Sequence, residues 1–228
     1  MGAVAGETAG EGVGAVRAGR GFSRERVVRH VLLGLLGLAV TMGVYRLTPP
    51  PDWRHRLSMG SAYAAMLFLV WSLVLGPWNV LRRRSNPVSF DLRRDVSLWA
   101  GSLAVLHTGV GLTVHLRGRM WMYFFKRLHP LHLQNTAFGA ANYTGLFAAL
   151  LFAMLLLISN DLSLRGLGAR RWKRWQRWAY AAATLTVVHG VIFQGVEARH
   201  AAWRAVLYLG IGLVLAMQMA GVAEVTQK

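Results

Sequence analysis

Two uncharged stretches are the strongest indication of the fold: VSLWAGSLAVLHTGVGLTVHL at residues 96–116 and WAYAAATLTVVHGVIFQGV at residues 178–196. Each is close to the ~20 residues with which an α-helix crosses ~30 Å of hydrocarbon. Each also contains one deep histidine, His107 in the first stretch and His189 in the second. His107 follows Arg94, and His189 follows Arg177, by a similar number of residues. At ~1.5 Å per residue, both imidazoles lie roughly 18–20 Å from the basic end of their helix.

The matched depth of His107 and His189 has two interpretations. A polar side chain deep in a membrane helix is a functional-site hypothesis by default. Two imidazoles at one depth, on helices that run in the same direction, are what axial ligation of a haem iron requires. The alternative is that each ring only forms a hydrogen bond inside a helix bundle. The residues alone leave both interpretations open.

The composition indicates a membrane protein with one domain, because 54% of the 228 residues are hydrophobic and only 15% are charged. We predict an all-α bundle of six transmembrane helices within residues 23–228, after a disordered cytoplasmic tail at residues 1–22. With short connections between the helices, we expect no separate nucleotide-binding reductase domain. The predicted spans are residues 30–47, 58–80, 96–116, 136–158, 178–196 and 205–222.

The net charge of +17 is distributed as in a membrane protein. With the N-terminus in the cytoplasm and six spans, 17 of the 26 Lys and Arg residues fall on the inner side. This positive-inside bias predicts that both termini are cytoplasmic, and it suits contact with anionic membrane lipids rather than nucleic acid. The absence of cysteine excludes disulfides, thiolate catalysis and iron–sulfur clusters held by cysteine.

The connections between the spans contain further histidines and arginines. Residues 117–135 form an outer connection in which His129 and His132 flank Pro130, and His115 is expected at the outer interface. We predict an inner loop over residues 159–177, with its Trp and Arg residues at the membrane interface. Asp95 or Ser97 could cap the third helix. His30 and His55 lie near helix ends, and we assign them no role.

One stretch resembles a known family. Residues 157–190 read LISNDLSLRGLGARRWKRWQRWAYAAATLTVVHG. The order of Ser-Asn, Leu-Gly, Arg-Trp and a final His is similar to the ferric-reductase-like transmembrane domain. It most resembles the small bacterial branch with the haem-binding membrane subunit of the periplasmic methionine sulfoxide reductase system. Arg93-Arg94 followed by His107 is similar to the family's third helix, and the resemblance extends loosely over residues 30–222.

The resemblance implies a six-helix bundle that binds b-type haem through His107 and His189. Gln176 replaces the family's other histidine on the fifth helix, and Arg93 or Arg94 occupies the corresponding depth on the third. We therefore expect one haem near the outer face, with a flavin mononucleotide or a quinone as a further cofactor on the inner side. Weaker candidates for cofactor contacts are His115, His129, His132, Gln176 and Arg174.

The function expected from this sequence is that of a b-type cytochrome in a bacterial plasma (inner) membrane. It would take electrons from a separate donor and pass them to an outer-side or periplasmic redox protein. The alternative is a non-redox structural subunit that has kept the fold. A transporter has less support, because no acidic residue lies within the predicted spans and ion coupling usually needs one.

Overall fold

The computed structural model describes residues 24–49, 52–82 and 90–227, so the predicted tail at residues 1–22 lies outside the described residues. A two-stranded antiparallel hairpin is the one β-structure in this part of the chain, and the rest of its regular structure is helical. The helices are α1 (Arg24–Leu47), α2 (Trp53–Leu81), α3 (Phe90–Gly111), α4 (Ala137–Ile158), α5 (Asp161–Gln176), α6 (Trp178–Val196) and α7 (Ala201–Thr226), and the strands are β1 (Phe125–Arg127) and β2 (His132–Leu133).

Four helices begin at a side chain that accepts a hydrogen bond from the backbone of the first turn. These caps are Asp52 before α2, Thr136 before α4, Asn160 before α5 and His200 before α7. A cap of this kind satisfies one of the N–H groups that a helix start leaves without an intrahelical acceptor. The starts of α2, α4, α5 and α7 are therefore set by single residues in the sequence.

Five helical segments of the described chain are long and apolar enough to cross a membrane. They are α1, α2, α4, the combined α5–α6 segment Asp161–Val196, and α7. The predicted helical class and multi-pass membrane character are confirmed at this level. α3 differs because its first turns carry four charged residues, namely Asp91, Arg93, Arg94 and Asp95.

The helices form two groups that meet along α3 and α4. In the first group α2 packs against α1, α3 and α7, and in the second α4 packs against α6. Phe68 of α2 is fully buried in the core of the first group, and Phe152 of α4 lies in the core of the second. Because α6 and α7 have few contacts with each other, space remains between the two groups.

α3 and α6 run in the same direction, as predicted. Arg94 near the start of α3 donates a hydrogen bond from Nη2 to the carbonyl oxygen of Ser159 at 2.7 Å. Gln176, just before α6, donates from Nε2 to the Ser159 hydroxyl at 3.3 Å. Since Ser159 ends α4, both helices start beside one residue. We call this the basic end of the bundle, and the opposite end, with β1 and β2, the hairpin end.

The prediction of a loop over residues 159–177 is wrong. Most of this stretch is α5, whose helical geometry is interrupted at Gly168, with φ at 72°. Glycine adopts this left-handed conformation without the steric cost of a side chain. Trp172 donates from its indole nitrogen to the carbonyl oxygen of Ile158 at 2.8 Å, which ties α5 back onto the end of α4.

The third helix also differs from the prediction at both ends. It begins at Phe90, so Asp95 and Ser97 lie inside it and neither caps it. It ends at Gly111 rather than near residue 116. There the Tyr123 hydroxyl donates to the carbonyl oxygen of Gly111 at 3.0 Å and accepts from the backbone N–H of His115 at 2.7 Å. This buried tyrosine satisfies backbone groups that another helical turn would have paired.

Asp95 joins α3 to α1 at the basic end. Its side chain is 0% exposed and lies 3.1 Å from Arg26 Nη2, 3.0 Å from Arg29 Nε and 3.3 Å from His30 Nε2. Trp99 donates from Nε1 to His30 Nδ1 at 3.2 Å. His30, to which the sequence assigned no role, is therefore part of a structural network between α1 and α3.

Candidate functional site

His107 is held on α3 by a backbone group of α2. Its Nδ1 lies 2.9 Å from the carbonyl oxygen of Ser58, and the Ser58 hydroxyl lies 3.3 Å from the same nitrogen. A carbonyl oxygen only accepts hydrogen bonds, so the contact with it requires that Nδ1 carries the proton. The lone pair of the neutral ring is then on Nε2, which is the form that binds a metal.

His189 is held on α6 in the same way by α4. Its Nδ1 lies 2.8 Å from the carbonyl oxygen of Ala141. Gly145, one turn further along α4, faces the same ring: a Cβ atom at this position would lie 2.5 Å from His189 Nδ1. A side chain at residue 145 would therefore displace the imidazole. The Phe193 ring also packs against it, with ring centres 4.9 Å apart.

The imidazoles of His107 and His189, which the sequence places at a matched depth, lie beside each other. Their ring centres are 6.1 Å apart and their planes make an angle of 70°. A metal–nitrogen bond is ~2 Å long, and each nitrogen lies ~1 Å from its ring centre. Two imidazoles that bind one metal from opposite sides therefore have ring centres ~6 Å apart. The observed separation fits this value. Among the described residues neither Nε2 atom has a hydrogen-bond partner.

A mainly apolar cavity of about 580 Å³ contains both rings. It lies between the two helix groups, with walls from α2, α3, α4, α6 and α7. Its volume is in the range of sites that enclose a large organic ligand. No group of three or more His, Cys, Asp or Glu residues that could hold a metal occurs in the described part of the chain. Two imidazole nitrogens in an apolar cavity suit a metal whose other ligands come from a macrocycle.

The part of this cavity at the hairpin end of the bundle, which we call its mouth, is polar. His55, His115 and Arg199 are among its lining residues. His115 Nε2 lies 2.9 Å from a carboxylate oxygen of Glu197, and this hydrogen bond is the main cause that lowers the pKa of Glu197. Arg199 contacts the sulfur of Met59, and its partial burial lowers the pKa of its guanidinium. A half-buried cation at the mouth is suited to an anionic group on a bound ligand.

A second cavity of about 400 Å³ lies at the basic end. Its lining includes Gln176, and no histidine is among its described lining residues. The Gln176 amide donates to the Ser159 hydroxyl, as described above. The other polar lining residues include four cations, Arg93, Arg94, Lys173 and Arg177, and three serines.

The remaining sequence candidates lie away from the ring pair. His129 is exposed in the turn between β1 and β2, and His132 is exposed at the start of β2, with Nδ1 3.0 Å from the carbonyl oxygen of Pro130. Arg174 is exposed on α5 and lines neither cavity. Of the weaker candidates, His115 alone lines the cavity of the two imidazoles.

Several residues of the site escaped the sequence analysis. Ser58 and Ala141 contribute carbonyl oxygens, which no sequence pattern marks. Gly145 is one of 25 glycines, and only the packing of α4 against α6 sets it apart. Arg199 could have been found from the sequence, because it is a basic residue that follows shortly after the apolar stretch with His189.

Comparison with known proteins adds no relative: no family model matches this chain, and no similar protein is found among the curated ones. The ferric-reductase-like resemblance therefore remains a hypothesis carried by residues 157–190 and by His107.

Proposed function

We propose that this protein is a membrane b-type cytochrome of the ferric-reductase-like kind, in which His107 and His189 are the axial ligands of one haem. The observation that carries the proposal is the ring pair at 6.1 Å, with each Nδ1 held by a carbonyl oxygen of another helix. A hydrogen bond from the distal ring nitrogen to a carbonyl group fixes the tautomer and orientation of metal-binding histidines in general.

The protein's own residues would position the group and keep water away. Apolar walls from five helices surround the rings, and the Gly145 position leaves room for His189. At the mouth, the guanidinium of Arg199 and the ring of His115, which both line this cavity, would contact the haem propionates. Haem ligated by two imidazoles supplies one-electron redox chemistry at a potential tuned by such surroundings.

The membrane arrangement that we propose has six spans, with both termini in the cytoplasm of a bacterial plasma membrane. α3 is the sixth span, because it packs between α2 and α4, which are long and apolar enough to cross a membrane. The excess of Lys and Arg on the side of the basic end supports the orientation. The haem would then lie in the outer half of the membrane.

Electrons would reach the haem from a separate donor and leave to an outer-side or periplasmic redox protein at the hairpin end. A flavin or a quinone on the inner side would shorten the distance to a cytoplasmic donor. Nucleic acid is not among the partners that we propose, because the basic residues flank apolar spans.

The test is the absorption spectrum of the protein purified from cells supplied with haem. We expect a reduced-minus-oxidised b-type band and a haem content near one per chain by the pyridine haemochrome assay. The haem would be non-covalent, because the chain has no cysteine to attach it. A protein without this band would instead fit the alternative, a non-redox structural subunit of a membrane complex.

A further inference from the structure

The cavity at the basic end combines a cationic rim with hydrocarbon walls. Four cationic residues line it, and no carboxylate residue is among its described lining residues. The walls are formed by leucines and one phenylalanine of α2, α3 and α4, namely Leu69, Leu73, Leu98, Phe152, Leu155 and Leu156. This is an amphipathic cavity that is enriched in positive charge.

The cations differ in how far they are engaged by the protein. Arg94 is occupied, since it donates to the carbonyl oxygen of Ser159 and to Asp161. Arg93, Lys173 and Arg177 have no carboxylate partner among the described residues. Arg93 reaches across to α2, where a Cβ at Gly76 would lie 3.5 Å from its Nη1. Like charges gathered at one cavity repel each other unless an anion joins them.

We infer that this cavity binds the headgroup of an anionic phospholipid, with the phosphate at Arg93, Lys173 and Arg177 and an acyl chain against the leucine wall. Basic pockets between membrane helices on the cytoplasmic side bind acidic lipid headgroups in this way. A lipid satisfies both halves of the cavity, whereas free phosphate would leave the apolar wall without a partner. The inference depends on membrane insertion and not on haem.

The test measures the unfolding temperature of the full-length protein in neutral detergent. Dioleoyl phosphatidylglycerol, dioleoyl phosphatidylcholine, inorganic phosphate and flavin mononucleotide are titrated separately. At a 100-fold excess over its dissociation constant, we expect phosphatidylglycerol to raise the unfolding temperature by about 5–10 °C. The other three additives are expected to leave it nearly unchanged.

Variants locate the effect. Arg93→Gln and Lys173→Gln should each weaken the binding of phosphatidylglycerol by about fivefold. The matched control is Arg174→Gln, because Arg174 is the chain neighbour of Lys173 and is exposed like it, but lines neither cavity. Arg177→Gln is a second variant in case one of the first two does not fold, as judged by helical circular dichroism and size-exclusion chromatography.

The proposal is overturned if phosphatidylcholine stabilises the protein equally, or if Arg174→Gln weakens binding as much as Lys173→Gln. It is also overturned if inorganic phosphate or flavin mononucleotide alone produces the full rise in unfolding temperature and Arg93→Gln abolishes that rise. The site would then bind a soluble anion or a flavin. Haem content is measured on the same samples. If a variant no longer binds phosphatidylglycerol but keeps its haem, only the lipid inference concerns that residue. If the purified protein has no haem but still binds phosphatidylglycerol, only the proposed function fails.

Discussion

The two cavities of the bundle share wall residues from α2, α3, α4 and α6, including Leu69 and Phe152, but they contain different chemistry. Toward the hairpin end, His107 and His189 face each other in an apolar space. At the basic end, α3 and α5 present Arg93 and Gln176, together with the cations Arg94, Lys173 and Arg177. On our proposals, one helix framework would hold a ligated metal at one end and an anion at the other.

The difference shows that a metal-binding side chain needs neighbouring groups that orient it, as well as a suitable residue type. Each histidine is oriented by a carbonyl oxygen from a neighbouring helix, which leaves Nε2 for a metal. At the basic end, the Gln176 amide is engaged with the Ser159 hydroxyl, and a guanidinium has no lone pair to offer. The side chains at the basic end are therefore suited to binding an anion and to holding helices together, rather than to ligating a metal.

The largest expected effect comes from removing either imidazole. We expect His107→Ala and His189→Ala each to abolish haem binding, because ligation by two imidazoles fails when one is lost. Haem content and the low-spin spectrum of the purified variants are the measurement. His129→Ala is the control, since this histidine is exposed in the hairpin turn. If both deep variants kept full haem content, the ligand assignment would be wrong.

Gly145→Ala is expected to have the next largest effect. The new Cβ would lie 2.5 Å from His189 Nδ1, so the ring must move or lose its hydrogen bond to Ala141. Forcing an extra carbon into a packed site costs about 1–3 kcal/mol, which is roughly a tenfold or greater loss of haem affinity.

Haem transfer to an excess of apomyoglobin would measure this loss. Gly109→Ala is the matched control, because a Cβ there meets nothing within 4 Å. Equal haem retention in the two variants would contradict the close approach of α4 to His189.

Asp95→Asn tests whether the network at the basic end is structural. Two arginines would lose their carboxylate partner at a site where Asp95 is 0% exposed. Breaking a fully buried pair costs about 3–5 kcal/mol. Because the arginines are partly exposed, we expect about 2 kcal/mol in unfolding free energy, with haem content unchanged.

The control for this substitution is Asp161→Asn, whose carboxylate is 53% exposed in its pair with Arg94. Surface pairs contribute about 0–1 kcal/mol. Equal destabilisation of the two variants, measured by unfolding in detergent, would show that Asp95 has no special structural role.

The pair of His115 and Glu197 predicts a smaller, pH-dependent effect at the hairpin end. The hydrogen bond from His115 lowers the pKa of Glu197 below its ordinary value. The resulting stabilisation is complete above the pKa of the unfolded state and is lost as the pH falls through the lower pKa of the folded state. For this partly exposed pair we expect at most about 1 kcal/mol.

Unfolding temperatures of the wild type and Glu197→Gln, measured from neutral to acidic pH, test this effect. The difference between the two proteins should be largest near neutral pH and should shrink as the pH falls below the ordinary range of a glutamate. A difference that grows toward acid pH would have the wrong sign.

The smallest effect is expected for Gln176→His. The new imidazole would share its cavity with Arg93 and Arg94, and no second imidazole is among the described residues that line this cavity. The pyridine haemochrome assay should therefore still give about one haem per chain. A second haem with bis-imidazole spectra would break the contrast between the two cavities.

Much of the fold could be predicted from local patterns. The uncharged stretches at residues 136–158 and 178–196 correspond to α4 and α6 almost residue for residue, because apolar length alone determines such helices. α5 was not predicted, because its sequence is mainly polar; the Asn160 cap and the hydrogen bond from Trp172 to Ile158 hold this helix against the end of α4. At the end of α3, the Gly111 carbonyl oxygen is paired by Tyr123, which lies beyond the helix, 12 residues further along the chain.

Hydrophobic length and the rise of a helix were enough to predict the helical, multi-pass membrane class and the matched depth of His107 and His189. The contacts between helices fix which carbonyl oxygens hold the rings, why Gly145 must lack a side chain, and why Arg199 and His115 line one cavity. These features arise where helices distant in sequence meet. The residue pattern along one helix does not reveal which backbone atoms of a neighbouring helix it will contact.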